Sequence, residues 1–171
     1  DLAIIRNCDA DAVFAVYPFT PQQSISDAII KASYIPVFCG VDGETTKGLH
    51  TVSLAKDVEC QGAMGVVLNT PISDLKAVDI PVIITITKED TDVRARLDAG
   101  ASILNVSCGT KTPDVVKKIR ASYPNVPIIA TSGKTNETVQ TVIEAGVNAI
   151  TYTPPSTQEL FKHVTIGYRE E

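Results

Sequence analysis

The sequence predicts an α/β fold, a small parallel (β/α) barrel, and three features of its 171 residues carry that expectation. Short segments rich in Val, Ile and Ala recur seven times, as strands buried on both faces do. Most of the stretches between them change to the period of a helix, and strand alternating with helix implies a parallel sheet. The junctions also alternate between two spellings along the chain, which marks a repeat and not a scatter of apolar runs.

Asp1 to Cys8 opens the chain, and Leu2-Ala3-Ile4-Ile5 suits either a strand or the last turns of a helix. The residues from Asn7 to Asp11 are too few for a parallel crossover, which takes at least about ten to twelve. A helix is therefore expected over Asp1 to Cys8. Strands follow at Ala12 to Tyr17, Pro36 to Cys39, Ala63 to Asn69, Pro81 to Thr87, Ala101 to Ser107, Pro127 to Ser132 and Ala149 to Thr153. Ile35-Pro36-Val37, Ile80-Pro81-Val82 and Val126-Pro127-Ile128 open three of them. The strands between follow Asp98-Ala99-Gly100-Ala101 and Glu144-Ala145-Gly146-Val147, with looser versions at Gln61-Gly62-Ala63 and Asp9-Ala10-Asp11-Ala12. Glycine there suits a left-handed helix terminus that turns straight into the next strand.

Apolar stripes mark three of the helices: Ile25, Ala28, Ile29 and Ala32; Val115, Val116 and Ile119; Val139, Val142 and Ile143. Thr20-Pro21-Gln22-Gln23 reads as an N-cap, a first-turn proline and a capping-box glutamine, and Ser156-Thr157-Gln158-Glu159 as a second capping box. Thr112-Pro113-Asp114 opens a helix in the same way. Between Asn69 and Ile80 only Ser73-Asp74-Leu75 offers a short helical crossover.

Seven parallel strands form either an open doubly wound sheet or most of a (β/α)8 barrel. The edge strands of an open sheet tend to be shorter or more polar, whereas these seven are similarly apolar. The two-unit alternation suits a barrel interior filled from alternate strands. Complete barrels commonly run to about 250 residues, so a single small barrel domain over 1–171 with minimal loops is expected, the first of eight strands being absent. The chain starts with Asp, in keeping with trimming. A missing strand leaves two unpaired edges, so a homo-oligomer or a covering helix is expected.

Composition excludes several function classes. Lys and Arg total 15 against 20 Asp and Glu, a net charge of -5 with no basic run, which gives phosphate-driven nucleic-acid binding no support. No apolar run approaches the roughly 18 residues of a membrane span, and the start of the chain lacks the pattern of a secretion signal. Cys8, Cys39, Cys60 and Cys108 are scattered, with no CxxC pair and no His at ligand spacing. They read as free thiols of a cytoplasmic protein, and no metal site is expected. Nothing in the sequence identifies a cofactor.

Chemistry in a parallel barrel gathers where the strands end, and these ends carry Tyr17, Asp42, Asn69, Thr70, Thr87, Lys88, Asn105, Ser107, Thr131 to Lys134 and Thr153 to Thr157. Caps of strand-to-helix turns require the same letters. Asn105 and Ser107 share a strand face with Ile103, so both line the cavity if that face points inward. Asp42, within Gly40-Val41-Asp42-Gly43-Glu44, is the carboxylate candidate for a catalytic acid or base. Its alternative role is to shape the turn and cap the next helix. Lys88 and Lys134 are candidate anion contacts, and neither lies within a strand as an imine-forming lysine usually does. His50 and His163 fall on helices without an acidic partner at recognisable spacing. Thr131-Ser132-Gly133-Lys134, with Thr153-Pro154-Pro155-Ser156-Thr157 one unit later, matches the place where barrels hold phosphate on amides and a helix N-terminus.

At these last two strands the chain resembles the phosphate-binding TIM barrels, and most of all the glycerol-3-phosphate-responsive antiterminator family. The resemblance runs from Pro36 onward and is best from Val126 to Val164, through Pro127-Ile128-Ile129-Ala130, Glu144-Ala145-Gly146 and Glu159-Leu160-Phe161-Lys162. Where that family has paired glycines after the seventh strand, this chain has Thr131-Ser132-Gly133, and Pro154-Pro155 replaces a Gly-Ser turn. The resemblance implies a TIM-type barrel with phosphate contacts at Ser132, Gly133, Lys134, Ser156 and Thr157.

Two functions follow as expectations. One is a barrel enzyme acting on a phosphorylated or anionic small metabolite, as a lyase, isomerase or hydrolase, with Asp42, Asn105 and Ser107 beneath the anion loops. The other is a metabolite-sensing regulator of the antiterminator type, which breaks no bond. The acidic balance argues against RNA as its partner, while the resemblance implies RNA.

Overall fold

The structure is a computed structural model that describes residues 2–16, 21–43, 46, 48–69 and 77–170. Tyr17, Thr20, Glu44, Thr70 and the Ser73-Asp74-Leu75 crossover, all singled out by the sequence, lie outside the described residues.

Seven strands, β1 (Val13–Ala15), β2 (Val37–Gly40), β3 (Gly65–Leu68), β4 (Val82–Ile86), β5 (Ile103–Val106), β6 (Ile128–Thr131) and β7 (Ala149–Thr151), pair in parallel in sequence order. An open doubly wound sheet reverses its order at a switch point. An unbroken order with crossovers of one hand keeps the helices on one side and curls the sheet into a nearly closed barrel. Among the described residues β1 and β7 do not pair, and this seam is where a further strand would close the ring. Every strand falls on a predicted segment, β2 running one residue further to Gly40.

The helices are α1 (Leu2–Asn7), α2 (Gln23–Ala32), α3 (Leu49–Gln61), α4 (Val93–Asp98), α5 (Thr112–Ser122), α6 (Asn136–Glu144) and α7 (Thr157–Glu170). The opening segment is helical, as expected. Arg6 ties it to α2, its guanidinium lying over the Tyr34 ring and donating to the Ala32 carbonyl at 3.0 Å. Gly100 and Gly146, at φ 107° and 94°, turn α4 and α6 into the next strands through the left-handed region that side chains avoid.

Two helix starts differ from the sequence reading. α2 begins at Gln23 with Gln22 as its N-cap and no side-chain cap bond there, two residues beyond the N-cap expected at Thr20. In α5 Pro113 does sit in the first turn, but Thr112 lies inside the helix and its hydroxyl accepts the Cys108 N–H at 3.0 Å. A 3-10 turn at Gly109–Lys111 supplies the lead-in, so the helix needs no separate cap there.

Alternate strand residues meet the helices. Val37, Cys39, Val66, Leu68, Val82 and Ile84 pack with Ile29, Leu54 and Val58; Ile86, Leu104, Val106, Ile128 and Ala130 pack with Val115, Val116, Ile119 and Val142. The intervening residues therefore face the barrel interior.

Candidate functional site

The register orders those inward residues into rungs. Phe14, Phe38 and Gly65 form the lowest, where the two rings meet edge to face at 5.5 Å. A Cβ on Gly65 would stand 2.8 Å from the Pro81 carbonyl and 2.9 Å from the Phe38 ring, so glycine makes room for this aromatic plug. Gly40, Val67, Ile83 and Ile103 come next, then Thr85, Asn105, Ile129 and Ala149, then Thr131 and Thr151. The interior thus changes from apolar to polar toward the carboxyl ends of the strands, the face on which barrels place chemistry.

Asp42 stands two residues beyond Gly40, on the same face, and is buried. Its carboxylate accepts the backbone N–H of Asn69 at 2.7 Å and the Asn69 amide at 3.4 Å, binding the end of β2 to that of β3. The next helix, α3, starts after Gly48 as its N-cap. Beyond it, Thr46 N–H donates to the Gly43 carbonyl at 3.1 Å.

Asn105 is buried on the inner face of β5, and its amide nitrogen donates to Thr85 Oγ1 at 3.4 Å. Its Oδ1 is buried without a partner. Continuing the register from Val67↔Ile83 places Asn69 beside Thr85, so Asp42, Asn69, Thr85 and Asn105 form one polar rung across four successive strands. Ser107, half-buried, donates its backbone N–H to the Ile86 carbonyl and continues toward Thr131, whose hydroxyl accepts from Thr151 at 3.0 Å. Of the three predicted catalytic residues, each is thus held by its own neighbouring strand. Thr85 and Thr151, which sequence reasoning missed, join neighbouring strands within their rungs. Their signal is a Thr at an inward position of an otherwise apolar strand.

The predicted anion residues divide between two loops. Ser132 follows β6, and its Oγ is buried without a partner. Gly133 packs so closely on α6 that a Cβ would lie 2.6 Å from Thr138 Oγ1. Lys134 is exposed beside the start of α6, where Thr135 and Thr138 form a capping box that the sequence reading passed over. In the second loop Ser156 gives both its N–H and its hydroxyl to Glu159 Oε2 at 2.7 Å, while Glu159 N–H donates back to Ser156 Oγ at 3.3 Å. The chain's own carboxylate therefore sits at the N-terminus of α7, beside the exposed Thr157.

Other candidates lie elsewhere. Cys39 points to the helices and Cys108 donates to the Ile86 carbonyl at 3.4 Å; burial pushes both thiols up, with the Glu89 charge adding to the rise at Cys108 and a Ser26 hydrogen bond partly offsetting it at Cys39. High thiol pKa values make poor nucleophiles. Lys88 and Lys118 line a cleft of about 210 Å³ between α4 and α5, outside the barrel. His50 lies on α3 and His163 on α7.

No protein-family model and no curated protein matches the chain. Among solved structures it is similar to phosphoenolpyruvate phosphomutase from Streptomyces platensis subsp. rosaceus, at 13% identity and a TM-score of 0.71 over 98% of this chain and 76% of that one. This is a TIM-type barrel. A glycerol uptake operon antiterminator regulatory protein from Listeria monocytogenes gives 16% identity and a TM-score of 0.68, covering 92% of this chain and 89% of that one. N-acetylneuraminate lyase from Fusobacterium nucleatum gives 14% and 0.67; the chain spans 59% of that lyase's length. At such identities the likeness is one of fold. No described helix is long and apolar enough to cross a membrane.

Proposed function

We propose that this chain, as one barrel domain, is a cytoplasmic enzyme acting on a phosphorylated or otherwise anionic small metabolite. Asp42 is the proton-transfer group, Asn105 and Ser107 orient the substrate, and Ser132, Gly133 and Lys134 hold its anion, with Ser156 and Thr157 facing it from the last loop. The supporting observation is Asn105 Oδ1, a buried acceptor left without a donor on the face where barrels place their chemistry. Such an atom costs stability unless a ligand hydroxyl or ammonium group satisfies it. Ser132 Oγ repeats the pattern one loop further on. The edges of β1 and β7, which do not pair among the described residues, support a homo-oligomer.

One observation favours a second reading, a metabolite-sensing regulator without catalysis. Asp42 already accepts two hydrogen bonds from Asn69, so both of its oxygens are engaged by the fold before any substrate arrives. A metabolite library scored by melting temperature finds the ligand, because binding stabilises the native state. Turnover of that ligand, lost in Asp42→Asn, supports the enzyme; a stabilising anionic ligand that is never turned over supports the regulator; stabilisation by no anionic compound sinks both.

A further inference from the structure

Outside the barrel, α4 leaves a cleft against α5. With six residues α4 extends about 9 Å along its axis and with eleven α5 extends about 16 Å, so the shorter helix cannot cover the longer, and no α4 residue is buried. The space between them measures about 210 Å³. Ile86, Val115 and Ile119, all buried, close it on the inside, and half-buried Val93 and Tyr123 form its walls. Its rim carries five charged side chains, and three of them already have partners. Glu89 pairs with Lys111 at 2.8 Å, Arg94 pairs with Asp98 at 3.1 Å, and Asp92 caps α4 by accepting the Ala95 N–H at 3.0 Å. Lys88 and Lys118 remain. Neither ammonium group has an ion pair or hydrogen bond among the described residues. The backbone of Lys88 is nevertheless fixed, since its carbonyl accepts the Thr91 N–H at 3.3 Å and the Thr91 hydroxyl at 2.8 Å, closing the turn at the edge of the cleft.

We propose that this cleft is a second ligand site, separate from the barrel mouth, and that it takes a single-ring aromatic carboxylate. It does not rest on the function proposed above, because Ile86 turns to the helices while the neighbouring Thr85 turns to the barrel interior. Size sets the first limit. An apolar cavity of about 150 Å³ is enough to hold benzene, so the cleft has room for one ring and a carboxyl group but not for a larger body. The lining sets the second, since a ring buries its faces against Ile86, Val115 and Ile119 and meets the Tyr123 ring at its edge. Charge sets the third. Two ammonium groups stand at one rim whose acids are engaged elsewhere, and the two oxygens of a carboxylate offer one acceptor to each. Inorganic phosphate supplies the charge but leaves the apolar lining unfilled, and a neutral ring does the reverse. A ring bearing a carboxylate uses both.

The test titrates the full chain, labelled at its Ile and Val methyl groups, with benzoate. Saturable methyl shifts are expected at Ile86, Val93, Val115 and Ile119, with a Kd of about 1 mM or tighter. Lys88→Gln/Lys118→Gln alters two exposed side chains, so its melting temperature should match the wild type. The double variant should bind benzoate about tenfold more weakly and benzyl alcohol, which keeps the ring without the charge, as the wild type does. No saturable shift at these methyl groups up to about 10 mM benzoate overturns the site. Shifts at the inward-facing Ile83, Ile103 and Ile129 instead would put benzoate inside the barrel, which overturns the cleft and leaves the proposed function standing. Equal benzoate affinity in wild type and double variant overturns the assignment of an anionic ligand. Failure of any anionic compound to bind at the barrel mouth would sink the proposed function and leave the cleft as it is.

Discussion

The carboxylate of Asp42 accepts the backbone N–H of Asn69 at 2.7 Å, which joins a side chain at the end of β2 to the backbone at the end of β3. Asp42 thus has both a structural bond and a position on the inner rim, and substitutions separate the two. Asp42→Asn keeps an acceptor oxygen and removes the charge, so turnover is expected to fall by about 10²-fold or more, as when a general base is lost. Its melting temperature should stay within a few degrees. Asp42→Ala also strands the Asn69 N–H and should cost about 1 to 3 kcal/mol in a denaturant titration. Equal turnover by wild type and Asp42→Asn would remove Asp42 from the chemistry.

Lys134 and Gly133 should fail differently. Lys134→Ala removes an exposed cation and is expected to weaken phosphate or sulfate binding about tenfold while leaving the fold alone. Gly133→Val drives a side chain into Thr138, whose hydroxyl takes part in the capping box of α6. Binding and melting temperature should therefore fall together in that variant. Isothermal titration beside thermal melts distinguishes them; a Gly133→Val protein of unchanged stability would contradict the packing.

Glu159 occupies the place an anion would take at the start of α7, since it accepts both Ser156 donors. Glu159→Gln removes the charge that competes with a bound phosphate. Phosphate affinity should rise severalfold, while α7 frays slightly with the weakened cap. Unchanged phosphate binding in Glu159→Gln would show that the second loop takes no part in the site.

The strands were legible because both of their faces are buried, which spells continuous Val and Ile runs such as Val82-Ile83-Ile84, and because Gly100 and Gly146 mark turns that other residues resist. Asp42 and Asn105 could be picked out as polar residues at strand ends. Their grouping with Asn69 and Thr85 could not, because it depends on the stagger between strands far apart in sequence. α2 starts at Gln23, later than a cap at Thr20 predicts, since cap letters are a weak preference. At Ser156 the same letters spelled a capping box and an anion site, and in the structure the box is formed.

Thiol reactivity should follow burial. Cys8 and Cys60 are exposed, Cys108 is half-buried and Cys39 is buried. Alkylation of the native protein is expected to modify Cys8 and Cys60 first and Cys39 only on unfolding. Because burial raises the Cys39 pKa above its unfolded value, the unfolded chain gives up that proton at lower pH. Its contribution to stability is complete below the ordinary thiol range and declines as pH rises through it and toward the raised folded value. Rapid alkylation of native Cys39 would contradict this order.

Arg120 tests the opposite end of the barrel. Its guanidinium donates to the Gly146 carbonyl at 3.0 and 2.8 Å, to the Pro124 and Val126 carbonyls at 2.8 Å each, and to Asn148 Oδ1 at 2.9 Å. Asn148 Oδ1 in turn accepts the Ile128 N–H at 2.9 Å, so one side chain fastens the amino ends of β6 and β7. Lysine has no planar fork of donors, and Arg120→Lys cannot reproduce this set. Discounted for partial exposure, the loss is expected to be about 1 to 3 kcal/mol for Arg120→Lys and more for Arg120→Ala. Both variants should bind phosphate as the wild type does below their melting temperatures, because residues at the amino end of a barrel serve stability and those at the carboxyl end serve function. A change in phosphate affinity without a change in stability would place part of the site at the wrong end of the barrel.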